Sequence, residues 1–151
     1  MCFSILVALQ VFFSFRDTGM LSYPLDDAFI HMSISKNLVE HGVWGITKFE
    51  FSSTSSSILY TLLLALGFAL IGIKVWLPLL LNWIMGIAVV YVMVRISKKH
   101  MRPSEAMLLN LSFIFLVPLA GMAVLGMEHT LQILLSILFF YLSHKSWKGE
   151  K

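Results

Sequence analysis

The chain has 151 residues, 58% of them hydrophobic and 13% charged, with a formal net charge of +3 and a mean hydropathy of +0.86. A soluble domain averages about 45–50% apolar and about 25% charged residues, so this composition excludes a disordered chain, a collagen-like repeat and an ordinary soluble enzyme. The 11 Lys and Arg are scattered rather than set in a basic stripe, which argues against a nucleic-acid partner. The single cysteine, Cys2, excludes a disulfide framework and a four-cysteine zinc site. An all-α integral membrane protein remains.

In chain order, residues 1–15 are apolar apart from Ser4, Gln10 and Ser14. As a helix they rise about 22 Å, short of a hydrocarbon core of about 30 Å. No basic residue precedes Arg16 and no Ala-x-Ala site follows, so the run reads as a short or truncated transmembrane helix rather than a signal peptide. The polar stretch 16–56 comes next and contains one helical pattern, over 27–41. Pro24 followed by Asp26 and Asp27 marks its start, Ile30, Ile34 and Leu38 share a face, and Gly42 is its expected cap. Such a helix suits the membrane interface. Residues 57–73 are apolar but only 17 long, at the lower limit for a span. Residues 75–96 are long enough to cross. A basic loop over 97–104 follows, then a span over 105–125 with a kink expected at Pro118. A hairpin over 126–129, a marginal span over 130–143 and a basic tail over 144–151 complete the chain.

Orientation follows from charge. Lys and Arg are in excess on the cytoplasmic side of membrane proteins, and two clusters qualify: Lys98, Lys99 and Arg102 with Arg95 before them, and Lys145, Lys148 and Lys151. Placing both inside puts the 126–129 hairpin and the start of the 75–96 helix outside. The nearly charge-balanced stretch 16–56 is external if 57–73 is juxtamembrane or re-entrant, and cytoplasmic if 57–73 spans.

Chemistry is expected in the polar segments. Asp26 and Asp27 are two of only three aspartates. One carboxylate at a helix start satisfies the dipole, for about 0.3–1 kcal/mol. Two are more than capping needs, and Asp27 shares a helix face with His31. Adjacent carboxylates suit a general base or a divalent cation. Glu128 lies between two apolar runs, where an ionisable group is costly and often functional. The hydroxyl-rich run Ser52–Ser57 suits a sugar or phosphate, and equally a plain flexible loop. Trp44 suits sugar stacking or interfacial anchoring. Lys74, at the mouth of a membrane helix, suits a lipid phosphate or simple snorkelling.

Four pieces in order resemble a known family. Asp26-Asp27-Ala28-Phe29-Ile30-His31 with Lys36-Asn37-Leu38-Val39-Glu40-His41-Gly42 is similar to the first external loop of GT-C glycosyltransferases, polytopic enzymes that use lipid-phosphate-linked sugars. Ser53–Ser56 followed by Leu59-Tyr60-Thr61-Leu62-Leu63, then Leu81-Asn82 with Gly86 and Arg95, and finally Gly126-Met127-Glu128-His129-Thr130-Leu131 resemble the next segments of its arabinofuranosyltransferase-like and mannosyltransferase-like bacterial members. One departure is Ser57-Ile58, where the family usually carries a proline.

The resemblance implies the N-terminal part of a GT-C fold: four transmembrane helices plus two external juxtamembrane helices, in the cell membrane, with the acidic loop outside. It implies a polyprenyl-phosphate-linked sugar as donor and a glycan, lipid or protein hydroxyl as acceptor. Asp26 is then the base, with Asp27 beside it; His31, Glu128 and Lys74 contact substrate, and Asp27 and Glu128 hold a divalent cation such as Mg or Mn. A partner chain supplying further helices is a corollary if the chain acts as it stands. The competing readings are a non-catalytic membrane subunit or inactive remnant, and a small transporter or proton-relay component, which needs ionisable groups inside its spans.

Overall fold

A computed structural model of the chain describes residues 1–148, which fold into seven α-helices with no strand among them. They are α1 (Cys2–Thr18), α2 (Asp26–His41), α3 (Ile58–Ile71), α4 (Leu77–His100), α5 (Pro103–Leu116), α6 (Leu119–Val124) and α7 (His129–Trp147). Lys151, the last member of the second basic cluster, lies outside the described residues.

α4 organises the rest. Its 24 residues rise about 36 Å, and it is the one helix among the described residues long and apolar enough to cross a membrane. Pro78 in its first turn has the φ a helix needs, and Lys98, Lys99 and His100 in its last turn meet the negative end of the dipole. α7 lies beside it and runs the same way. Near their starts the Thr130 hydroxyl donates to Asn82 Oδ1 at 2.8 Å; near their ends Ile96 and His100 share a cavity with Tyr141 and His144. α1 runs antiparallel to the first half of α4. There Gly86 lets the Phe3 ring lie against the α4 backbone, and a Cβ at that position would fall 2.2 Å from Phe3 Cζ. α5 returns along the second half of α4, where the Asn110 amide donates to Ser97 Oγ at 2.8 Å.

The span expected over 105–125 is two helices rather than one kinked one. The Val117 N–H still reaches Phe113 O, but Pro118 has no N–H to continue the ladder. Its carbonyl instead accepts from Met122 N–H and opens α6, whose Leu119, Ala120 and Ala123 are buried in the main core. That core also takes Phe3 and Val7 from α1, Val89 from α4, Ile114 from α5 and Leu134 from α7. α7 runs to Trp147, past the expected end at 143.

A second core forms where α3 docks on α4 and α7, through Tyr60, Leu64, Phe68, Leu77 and Leu131. α3 has 14 residues, a rise of about 21 Å, and exposes Leu62, Leu66 and Leu70 on its outer side. α2 packs mainly on α3. It begins at Asp26, one residue earlier than expected, and ends as expected at Gly42, whose left-handed φ of 69° directs its N–H to Leu38 O. Its buried side differs from the anticipated Ile30–Ile34–Leu38 stripe. Ala28, His31, Ile34, Ser35 and Asn37 are buried, because their polar atoms find partners there: Ser35 Oγ donates to Thr61 O, and the Asn37 amide to Gly45 O and Ile46 O.

Gly86→Ala is expected to cost about 1–3 kcal/mol by overpacking. Unfolding in mixed micelles should show that adding Phe3→Ala removes most of that penalty. Simple additivity would mean α1 does not press on Gly86.

Candidate functional site

The first helical turns of α2, α3 and α7 meet at one end of the bundle. At their junction sits His31, 1% exposed, one helical turn beyond Asp27. Its Nδ1 lies 2.8 Å from Thr61 Oγ1. Its Nε2 lies 3.1 Å from Glu128 Oε2 and 3.1 Å from Ser56 Oγ. The Ser56 hydroxyl donates to the other Glu128 oxygen, Oε1, at 2.8 Å. Ser55 Oγ completes the ring of hydroxyls, 2.8 Å from Thr61 Oγ1. The carboxylate beside Nε2 assigns the proton of the neutral ring to that nitrogen and leaves Nδ1 to accept from a hydroxyl.

Two tyrosines hold the hairpin that carries Glu128. The Tyr60 ring stands edge-on to His31 with centroids 5.4 Å apart, and its hydroxyl donates to Gly126 O at 2.9 Å. The Tyr23 hydroxyl donates to Val75 O at 2.6 Å and accepts from Leu79 N–H at 3.2 Å. Gly126 approaches the Tyr23 ring so closely, at a φ of 73°, that a side chain there has neither space nor an easy backbone conformation.

Ser56 is not placed as the nucleophile of a serine relay, and Ser55 Oγ, which lies 3.4 Å from the opposite nitrogen Nδ1, donates to Ser57 O at 3.1 Å. Such a relay places the serine and the carboxylate on opposite nitrogens of the histidine. Here Ser56 and Glu128 both face Nε2, and the serine proton points to the carboxylate. The arrangement instead fixes Glu128 in one orientation and ties the α2–α3 pair to the α7 hairpin.

Burial pushes the His31 pKa below its usual 6.5, partly offset by the charges of Glu128 and Asp27 and the Glu128 hydrogen bond. Burial opposes ionisation of Glu128, but hydrogen bonds from its own backbone N–H and Ser56, with the charges of His31 and His129, outweigh it and hold the carboxyl below 4.5. Burial also lifts the Tyr23 phenol to about 12, against the Leu79 hydrogen bond. A depressed histidine pKa means the unfolded chain binds the proton more readily. The stability linked to His31 is thus present above 6.5 and lost as pH falls towards the folded pKa. Melting temperature is therefore expected to fall between pH 7 and pH 5. His31→Gln should flatten that interval, leaving the loss from Glu128 below about 4.5. An unchanged slope in the variant would remove His31 as the titrating group.

The structure brings Glu128 and His31 into direct contact and places Asp26 and Asp27 at the same end, exposed in the first turn of α2. The N-cap is Leu25, so neither aspartate occupies the capping position. Lys74 is exposed in the turn between α3 and α4; the Tyr23–Val75 bond ties that turn to the segment leading into Asp26. Trp44 is half-buried, and its carbonyl accepts from Ser52 N–H. Among the described residues no three His, Cys, Asp or Glu side chains gather as a metal site. Ser55, Ser56 and Thr61 serve His31 and Glu128, a role the hydroxyl-rich run alone did not disclose.

Among the described residues, the fold and site define an all-helical protein, with one helix long and apolar enough to cross a membrane and a histidine–carboxylate network at that helix's starting end. In comparisons with known protein families, curated proteins and solved structures, nothing matches this chain.

Proposed function

We propose that the chain is the N-terminal part of a GT-C-type membrane glycosyltransferase, which moves a sugar from a polyprenyl-phosphate donor to an acceptor hydroxyl on the external face. The observation that carries this reading is the convergence of the Asp26–Asp27 helix and the Glu128 hairpin through His31, at the end of the bundle away from Arg95, Lys98, Lys99, Arg102, Lys145 and Lys148. The positive-inside rule makes the basic end cytoplasmic and the acidic end external. In this arrangement α4, the broken α5–α6 pair and α7 span the membrane, and α1, the short first helix, lies along the outer half of α4. α2 and α3 lie on its outer surface. The apolar outer faces, with Phe12, Ile84, Phe115, Leu116 and Phe140 exposed, support contact with lipid, and the short rise of α3 supports a juxtamembrane place.

The acceptor oxygen attacks the anomeric carbon while the Asp26 carboxylate takes its proton. The bond from that carbon to the lipid-phosphate oxygen breaks on the opposite face, so the electron pair leaves with the phosphate and the configuration inverts. Asp27 lies beside the base. Glu128, held by His31 and Ser56, orients hydroxyls, and Lys74 offers a cation to the departing phosphate.

The test is transfer of labelled sugar from a panel of polyprenyl-phosphate pentoses and hexoses, in membranes carrying the chain and its Asp26→Asn and Asp27→Asn variants. Full transfer by both variants would overturn the assignment. Topology has its own check. In a Cys2→Ser background, Ser53→Cys is expected to react with an impermeant maleimide from outside, and Ser104→Cys only after permeabilisation. Labelling of both from one side contradicts the spanning arrangement.

A further inference from the structure

Between the starts of α3 and α7 lies a cleft of about 190 Å³. Ser56, Glu128 and Gln132 give its lining polar groups, and Leu59, Leu131 and Leu135 apolar ones. We infer that this cleft is a saccharide subsite that takes a single polyhydroxylated ring. The inference deepens the glycosyl-transfer reading, yet ring binding can be measured without turnover.

Four observations point to a sugar ring. The first is the donor and acceptor set. The Glu128 carboxylate accepts from His31, Ser56 and its own backbone N–H, which leaves one of its roughly four lone-pair sites for a ligand hydroxyl. Gln132 is one turn along α7 on the same face and adds an amide that both donates and accepts. The second is the apolar part of the lining, Leu59, Leu131 and Leu135. A pyranose or furanose presents hydroxyls at its rim and C–H groups on its face, and the cleft offers a partner for each. The third is size. Drug-sized ligands need about 300–1,000 Å³; this cleft has room for roughly six waters at about 30 Å³ each, which suits one ring rather than a chain. The fourth is sign. An ionised carboxylate held by a buried histidine repels a phosphate, so the subsite takes the neutral ring and not the anionic end of a lipid donor. Because His31 is buried and Ser56 grips the second oxygen, the carboxylate is oriented before a ligand arrives, which lowers the entropy cost of binding.

The ring comes either from the lipid-linked donor or from the acceptor. The experiment separates the two in nanodiscs carrying the whole chain, with diazirine-bearing octyl hexoside and pentoside as probes. Crosslinked peptides are mapped by mass spectrometry. Label is expected on residues 128–135, suppressed by excess unlabelled octyl glycoside if the site receives acceptor, or by polyprenyl-phosphate sugar if it receives donor. Gln132→Leu should reduce the protectable label about tenfold, the effect of losing roughly 1.4 kcal/mol of hydrogen bonding. Leu135→Trp, at an exposed wall position, should block it with the melting temperature unchanged. Label that neither competitor displaces, or that persists in Leu135→Trp, overturns the subsite. Protectable labelling without sugar transfer would leave the subsite standing and count against the enzymatic reading alone. Transfer without protectable labelling would do the reverse.

Discussion

Replacing Asp26 with Asn is expected to lower sugar transfer by about 10²–10⁴-fold, the range over which a positioned general base contributes. The substitution keeps the shape of the side chain and removes only its ability to take a proton. Asp26 is exposed in the first turn of α2, so lost attraction to the helix dipole costs only about 0.3–1 kcal/mol, too little to unfold the protein. A fall in turnover at unchanged melting temperature therefore reports chemistry. Asp27→Asn should act differently. The Asp27 charge helps to raise the His31 pKa against burial, so its removal should deepen the depression and reduce protonation of His31 at mildly acidic pH. If Asp27→Asn abolishes transfer while Asp26→Asn keeps more than about half, the base is Asp27 and the two roles exchange.

Gly126→Ala is the substitution expected to cost most in stability, about 2–5 kcal/mol. The left-handed backbone at Gly126 disfavours a side chain by about 1–2 kcal/mol. The added Cβ would also lie 2.4 Å from Tyr23 Cδ1, an overpacking of about 1–3 kcal/mol. Neither partner is free to yield. The Tyr23 hydroxyl is held by Val75 O and Leu79 N–H, and the Gly126 carbonyl by the Tyr60 hydroxyl. Strain relieved by moving the hairpin would carry Glu128, two residues on, away from His31. Denaturant unfolding in micelles should place Gly126→Ala well below the wild type. In a Tyr23→Ala background the same substitution should cost only the backbone share. An equal penalty in both backgrounds would show that the ring contact contributes nothing.

The His31–Glu128 contact also bears on the relay alternative. A proton path needs ionisable groups along the spans. The buried polar pair between α4 and α7 is Asn82 with Thr130, and neither carries a titrating proton near neutrality. The titrating groups of the site, His31 and Glu128, sit instead near the starts of α2 and α7.

Several features are written in the sequence because their causes are local. The long apolar run ending in Lys98 and Lys99 becomes α4, since hydropathy and terminal charge act within one helix. Gly42 ends α2 because only a residue free of Cβ strain adopts that backbone cheaply. The all-helical class follows from composition and run length. Pro118 was legible as an interruption, but whether the chain bends or restarts there depends on the burial of Leu119, Ala120 and Ala123 against other helices. The inward face of α2 departs from its apolar stripe for a similar reason. Apolar periodicity marks which side avoids water, whereas His31, Ser35 and Asn37 are buried because distant atoms satisfy them. Ser56 and Glu128, 72 residues apart, and His31 and Glu128, 97 apart, meet only once α3 has docked on α4 and α7. The sequence alone thus determined the helical class, the long α4 and the end of α2, through short-range sterics and hydropathy. Only the tertiary structure decided which polar groups share a site, because hydrogen bonds between remote segments leave no periodic trace in the chain.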